Sequence, residues 1–485
     1  MASPIAVGVF AVYMLGVLGI GVYASRFTER TPSDFYLAGR RVGTIVLLFT
    51  LMATIVSSFA FFGIGAASSA TGLGIFSFIG LEVTLFALVF ATLGLTINRV
   101  GRKHDIIEPT EYLGERFESN GVSGLYLIIS FMALIGFVTA QITGGAIALD
   151  VLLEIPFEWG AIAITIFMAV YLHISGMRGV IWSDVVQGVV IVATLVLLMI
   201  GMLIVIGPGQ LLSGVQEASA GLLSYQGPFG VWSPRYVLSF AIFFVVGVTA
   251  YPQVYQRLLS ARNEKVLRRS SRLFPVVGIP LFFAAAALGV WSTGIISNPA
   301  NPDYVIPLLV AEVTGPFVTG VVMAGAVASL MSTTDSVVLT LGSMASRGIY
   351  RKYLNRDANE EREVAVGQAI LLVVLGVSLV FSFLRPAGIF SLAEFAVAGF
   401  AATAPALFLS LYWRGSTKIG AMASMIVATA VMLGFFTGTI PAGARFGLHY
   451  GFVGLLVSTV VYVVVSVLTS TPSTRTIGSF VESSD

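Results

Sequence analysis

Apolar residues run in long blocks separated by short polar stretches, at about 4–24, 43–66, 73–98, 122–150, 159–175, 182–207, 236–256, 273–296, 316–343, 365–384, 388–412, 418–438 and 447–469. A helix of such a length can cross a hydrocarbon core of ~30 Å, so the pattern predicts about 13 transmembrane helices. The positive residues between the blocks test this count. With the N-terminus outside, all of the 26 Lys and Arg residues except Arg235, Arg385 and Arg445 fall on the inner side. A miscounted helix would invert every later loop, so the regularity supports both the number of spans and a cytoplasmic C-terminus. The first block, Met1 to Tyr23, has no basic residue ahead of it and reads as a retained helix rather than a cleaved leader.

Composition agrees. Of the 485 residues, 57% are hydrophobic and 10% charged, which excludes an ordinary soluble enzyme and predicts an all-α polytopic membrane protein. With no cysteine, disulfides, thiolate catalysis and cysteine-bound metals are excluded, and His104, His173 and His449 are too scattered to form a metal centre. No clustered acid, base and nucleophile marks an enzyme. The longest outer loop, about 208–234, is rich in Gly and Ser with a turn at Gly227-Pro228. The stretch from Asp303 to Val313 predicts an interfacial helix, Asp357 to Glu363 a solvated linker, and Thr469 to Asp485 a disordered polar tail. Gly16, Gly19 and Gly21 in the first span point to close helix packing.

Two features carry chemistry. In the block 316–343, Ser329, Ser332, Thr333 and Ser336 recur at helical spacings of three and four, continue through Thr340 and Ser343, and are accompanied by Asp335. Such a file of oxygens suits a hard cation, and a carboxylate at membrane depth, costing roughly 2.5–3.5 kcal/mol, calls for a cation, a partner or a water path. The second feature is a pair of interrupted spans. In one, Thr54, Ser57 and Ser58 precede Gly63 and Gly65; in the other, Gly247 precedes Tyr251, Pro252 and Gln253. Interruptions expose backbone groups that lipid does not tolerate and that a buried binding site uses. Each interrupted span begins a block of five helices, and the odd number makes the second block enter the membrane from the opposite side.

The motifs Ala53-Thr-Ile-Val-Ser-Ser-Phe-Ala-Phe-Phe-Gly63, Gly176-Met-Arg-Gly-Val-Ile-Trp-Ser-Asp-Val-Val-Gln187, Pro252-Gln-Val-Tyr-Gln-Arg-Leu-Leu-Ser-Ala261 and Ser329-Leu-Met-Ser-Thr-Thr-Asp-Ser336 lie in order on these spans. In them the chain resembles the sodium:solute symporter family, which contains bacterial proline, sugar, pantothenate, sialic acid and monocarboxylate carriers. The resemblance runs from about residue 4 to 470 and implies a LeuT-type fold of inverted five-helix repeats. A peripheral helix and inner loop would fill 1–41, the first repeat 42–208, an outer loop and the second repeat 209–413, two peripheral helices 414–470, and a cytoplasmic tail 471–485. By the same resemblance, a sodium ion is held by the carbonyls of Ala53, Val56 and Ser329 with the hydroxyls of Ser332 and Thr333. Asp184, Asp335 and Ser336 correspond to a second cation site of some members, an alternative to a structural role for Asp184 beside helix ends and Arg178.

The solute is expected at the breaks, against Ser57, Ser58, Phe59, Gln141, Phe244, Val248, Tyr251 and Pro252. Proline carriers have an acidic residue at the position of Ile55, and sugar carriers a Gln at that of Ala60, so the resemblance favours a small monocarboxylate or similar organic acid. No Lys or Arg is expected in a span interior to pair with its carboxylate, a role that half-helix N-termini can take. Glu82 and Glu394 read as mid-span acids held by neighbouring helices. The implied function is sodium-coupled symport at the cell membrane by alternating access, with proton coupling or a solute sensor on the same fold as alternatives. The implied partners are the solute, sodium and the lipid bilayer, with no organic cofactor, no nucleic acid and no obligate protein partner.

Overall fold

The computed structural model describes residues 3–26, 37–296, 299–355, 359–470 and 480–481, and among these the chain is helical with one isolated β-bridge. The loop from Thr31 to Tyr36, Asp357, and most of the expected tail lie outside the described residues. The helices are α1 Pro4–Ser25, α2 Thr44–Ile55, α3 Ile64–Thr71, α4 Ile75–Ala91, α5 Leu93–Lys103, α6 Pro109–Arg116, α7 Asn120–Leu153, α8 Phe157–Val205 and α9 Pro208–Ser219. They continue as α10 Pro234–Thr249, α11 Pro252–Ser260, α12 Glu264–Ser292, α13 Val305–Val313, α14 Pro316–Ala345, α15 Glu360–Leu384, α16 Ile389–Phe408, α17 Lys418–Phe436 and α18 Tyr450–Val467. Eleven helical stretches are each long and apolar enough to span a membrane, and two bent assemblies bring the number to 13.

Both expected interruptions are present. Between α2 and α3 the chain bends by 62°. Val56 is extended there (φ −78°, ψ 99°), and a π-helical turn follows from Phe59 to Gly63. Between α10 and α11 only Ala250 and Tyr251 intervene, Tyr251 being extended at ψ 130°. Pro252 then starts α11 at the position where a missing N–H costs least. Gly247 allows α10 to meet α16 beside this break, since a Cβ there would stand 2.5 Å from the Val397 carbonyl oxygen. α14 packs on α8, α7, α15 and α1, and α16 on α7, α10 and α18, so the two hydroxyl-bearing and broken elements share one interior.

The structure revises several boundaries. The connection expected near Arg178 is helical, because no proline interrupts Phe157–Val205 and the backbone keeps its ladder through the polar stretch. Part of the outer loop forms α9, and the charged linker becomes the start of α15, capped by the Asn359 side chain on the Arg362 amide. Gly16 and Gly19 have nothing within 4 Å of an added Cβ, so they do not serve packing within this chain. Close approach to α1 comes instead at Gly320 of α14, 2.8 Å from the Ala6 carbonyl oxygen by the same construction. In the expected tail, Phe480 is buried and stacks on His104 at 3.9 Å.

One end of the bundle gathers the basic residues. Val42 and Ala261 form a parallel bridge, with Val42 N donating to Ser260 O at 3.2 Å and Arg262 N to Val42 O at 3.0 Å. Arg102 donates to Ala261 O at 2.6 Å and Arg40 to Ile106 O at 2.8 Å. Arg347 pairs with Glu111 at 2.6 Å and Glu363 at 3.3 Å. Buried Glu108 accepts from Ser343 at 2.6 Å and from Thr110 at 2.8 Å. Burial, with Glu111 nearby, pushes its carboxyl up to about 8. At the opposite end Asp303 accepts the Ile389 amide at 3.1 Å, and Glu394 bonds the His449 ring at 3.1 Å, the neighbour-held acid that its sequence position suggested.

Candidate functional site

The hydroxyl stripe of α14 meets the broken end of α2. Ser332 Oγ donates to the Ala53 carbonyl at 2.9 Å, and Thr333 Oγ1 donates to the same oxygen at 3.2 Å. Ser332 Oγ also reaches the Ser329 carbonyl at 3.1 Å. The Ser329 hydroxyl turns away to Ala326 O at 2.7 Å, leaving its carbonyl as the group facing the cluster. Val56, at the extended residue ending α2, lies just beyond. All of these side chains are buried. Carbonyl and hydroxyl oxygens without a carboxylate form a neutral, hard donor set, which suits a monovalent cation better than a divalent one. Among the described residues no three His, Asp or Glu side chains gather as a metal centre would need.

One turn further along α14 the arrangement differs from expectation. Asp184 and Ser336 do face one positive charge, but it is the guanidinium of Arg257. Arg257 Nη2 lies 3.2 Å from Asp184 Oδ2 and 2.5 Å from Ser336 Oγ, and its Nε donates to Thr50 Oγ1 at 3.0 Å. Thr50 Oγ1 in turn donates to Asp184 Oδ2 at 2.6 Å. Arg257 is 1% exposed. The expectation that no Arg enters a span interior is therefore corrected. The segment Pro252–Ser260 looks like an inner loop in sequence, but it is the second half of the broken helix and carries its arginine inward. Neither oxygen of Asp335 has a hydrogen-bond partner among the described residues.

Beside the breaks lies a small cavity of about 10 Å³ lined by Thr54, Ile55, Ser57, Phe59, Phe137, Phe244, Val248, Tyr251, Ala393 and Val397. Five expected contacts, Ser57, Phe59, Phe244, Val248 and Tyr251, are among these. Ser58, Gln141 and Pro252 are not. Gln141 mends the break instead, its Oε1 accepting the Ser58 amide at 3.0 Å and its Nε2 donating to Phe137 O at 3.1 Å. Ser58 Oγ donates to Ala140 O at 3.2 Å, and Pro252 serves as the first residue of α11. Phe59 stacks on Phe244 at 5.4 Å and meets Phe390 at a tilt at 5.0 Å; the cavity, with room for about one water, widens if these rings separate. The Tyr251 hydroxyl has no partner among the described residues. Phe137, Ala393 and Val397 were not anticipated, since α7 and α16 carry no polar mark at those positions.

Comparison with known proteins bears on the family and the fold. A model of the sodium:solute symporter family matches residues 35–428. The sodium/pantothenate symporter of Escherichia coli (strain K12) is 28% identical over 422 residues, covering 86% of this chain and 87% of that protein. The sodium/proline symporter of Haemophilus influenzae is 26% identical, covering 97% and 96%. Among solved structures, a Na+-coupled sialic acid symporter in a substrate-bound outward-open state superposes with a TM-score of 0.82 at 20% identity, covering 97% of this chain and 99% of that one. Mhp1, a nucleobase-cation-symport-1 family transporter, gives 0.60 at 13% identity, covering 90% and 94%. The fold is thus LeuT-type.

Proposed function

The chain belongs to the sodium:solute symporter family, and from that premise we propose that it couples the entry of a small monocarboxylate to that of sodium by alternating access. The observation that carries the reading is the convergence of the Ser332 and Thr333 hydroxyls on the Ala53 carbonyl, at the break whose next turn lines the solute cavity. Sodium would bind the oxygens of Ala53, Val56, Ser329, Ser332 and Thr333. Its presence would fix the α2 break against α14 and thereby shape the cavity at Thr54 and Ser57, so that each ligand favours the conformation that the other needs.

The lining and the relatives support the solute class. Pantothenate, proline and sialic acid, the solutes in the relatives' names, each carry one carboxylate, to which proline adds an ammonium group. The cavity offers aromatic and aliphatic walls, the Thr54, Ser57 and Tyr251 hydroxyls, and no Lys or Arg among its described lining. A carboxylate there would be balanced by sodium and by the N-terminal end of the half-helix after the break. The basic end would face the cytoplasm of a cell-membrane protein.

The test is uptake into proteoliposomes of labelled acetate, pyruvate, lactate, pantothenate, proline and glucose, with sodium, potassium and proton gradients imposed separately. A monocarboxylate should accumulate only with an inward sodium gradient. Accumulation that is equal under sodium and potassium refutes sodium coupling, and preference for glucose refutes the solute class.

A further inference from the structure

At the basic end of the bundle a cavity of about 380 Å³ opens between α6, the start of α7 and the π-helical turn that follows α14. It shares no residue with the cavity beside the breaks. Gly124, Leu127, Ile128 and Phe131 line it at spacings of three and four, so one face of α7 forms its wall, and Ile349 stands on the other side. Ile128 is 68% and Ile349 42% exposed, and both belong to stretches long and apolar enough to span a membrane. The slot therefore opens sideways toward acyl chains.

Its polar groups, Thr110, Glu111, Ser123 and Arg347, gather near the start of α7, while Phe131 lies about 12 Å further along the same helix. Pairing with Glu111 and Glu363 engages at most three of the five N–H donors of Arg347, which leaves two without an acceptor among the described residues. Thr110 and Ser123 direct their hydroxyl hydrogens to Glu108 at 2.8 Å and to the Asn120 carbonyl at 3.2 Å, so each has only lone pairs left to offer. Glu111 accepts from Arg347 and from the Ile107 amide and keeps a further lone pair. Charge is balanced: Arg347 and Arg351 offset Glu111 and Glu363, and Glu108, protonated near neutral pH because burial pushes its carboxyl up, adds none. A net charge brought into this half-buried cluster would be uncompensated, whereas a zwitterion would not disturb the balance.

We propose that this cavity binds one phospholipid of the adjoining leaflet with a primary-amine zwitterionic headgroup, of the phosphatidylethanolamine class. Its phosphate meets the spare donors of Arg347, its ammonium meets Glu111, Thr110 and Ser123, and one acyl chain follows the α7 face from Gly124 to Phe131. A primary ammonium carries three N–H donors for the three acceptors present. A choline headgroup has none, and Phe131 alone supplies no aromatic cage for it.

The experiment is native mass spectrometry of the purified, detergent-solubilised full chain after equilibration with an equimolar mixture of dioleoyl phosphatidylethanolamine, phosphatidylcholine and phosphatidylglycerol, with thermal melting to verify folding. Wild type should retain one phosphatidylethanolamine at about tenfold preference over either competitor, the ratio expected from one additional charge-assisted contact. Gly124 has nothing within 4 Å of an added Cβ, so Gly124→Leu should fill the slot without a clash and remove the retained lipid. Gly16→Leu, equally open but on α1, should leave it in place. Glu111→Gln leaves the cluster with one excess positive charge and should shift the preference to phosphatidylglycerol, a reversal that mere loosening of the fold would not produce. Equal retention of the three lipids, which marks annular lipid only, overturns the proposal. So does a wild-type preference for either competitor, a phosphatidylethanolamine preference that survives in Gly124→Leu, or a folded Glu111→Gln with the wild-type order.

Discussion

Replacing Ser332 with Ala removes one oxygen from the cluster and adds no bulk. In the structure that oxygen lies 2.9 Å from the Ala53 carbonyl and 3.1 Å from that of Ser329. Without an ion the loss is one buried neutral hydrogen bond, about 1 kcal/mol of stability. With an ion bound, the hydroxyl lone pair would face a full charge, an interaction worth about 1.5–3 kcal/mol. At tenfold per 1.4 kcal/mol, the sodium concentration for half-maximal uptake should rise on the order of 10- to 100-fold. Thr333→Ala should act in the same direction, and the double variant should cost less than the sum because both hydroxyls address the Ala53 oxygen. Initial uptake rates in proteoliposomes, titrated with sodium at fixed solute, measure this. Thr334→Ala is the control, since Thr334 Oγ1 bonds only back to Leu330 O at 2.7 Å. Ser343, although on the stripe, is unsuitable as a control because it holds Glu108 at 2.6 Å. An unchanged sodium dependence in Ser332→Ala and Thr333→Ala refutes the assigned site.

Four further outcomes follow from particular contacts. Glu108, pushed from 4.5 to about 8 by burial, favours the folded chain while protonated, so that contribution is complete below about 4.5 and is lost as pH rises through 8; Glu108→Gln should flatten the fall in melting temperature between pH 6 and 9, and a parallel curve would contradict the assignment. Tyr251→Phe keeps the ring contacts with Phe137 and Phe400 but removes a hydroxyl with no protein partner, so the solute KM should rise about tenfold with stability unchanged. Gly247→Ala sets a Cβ 2.5 Å from the Val397 carbonyl oxygen and should cost about 1–3 kcal/mol in thermal or chemical unfolding. Single cysteines at Ala300 and Lys265, both exposed, should label from the outer and inner faces respectively with an impermeant reagent, and labelling from one side would undo the proposed orientation.

What the sequence revealed was what periodicity and span length control. The long apolar spans, the hydroxyl face of α14 and an interruption in the span that carries Thr54, Ser57 and Ser58 ahead of Gly63 all follow from the residue pattern, and each is present, with 11 spans or 13 when each bent pair counts as one. What it concealed depends on distant helices coming together. Gln141 looks like a ligand because a lone amide in an apolar run invites one, whereas its partner is the Ser58 amide exposed by a break 83 residues earlier. Arg257 looks like a loop residue because the short segment after Pro252 has charge and amides. A hint was available in Val254, Leu258 and Leu259, which give that segment an apolar face and are all buried. Phe137, Ala393 and Val397 resemble any other core position, and only the assembled cavity distinguishes them.

The bridge between Val42 and Ala261 joins the entrance of one broken helix to the exit of the other. Its two bonds run main chain to main chain, so the two inverted halves are clasped by groups that every residue except proline carries, and no ordinary side-chain replacement undoes the clasp. Val42 and Arg262 contribute the two amide hydrogens. Their deuterium uptake should therefore rise and fall together, a paired spectroscopic clock for the parting of that end of the bundle.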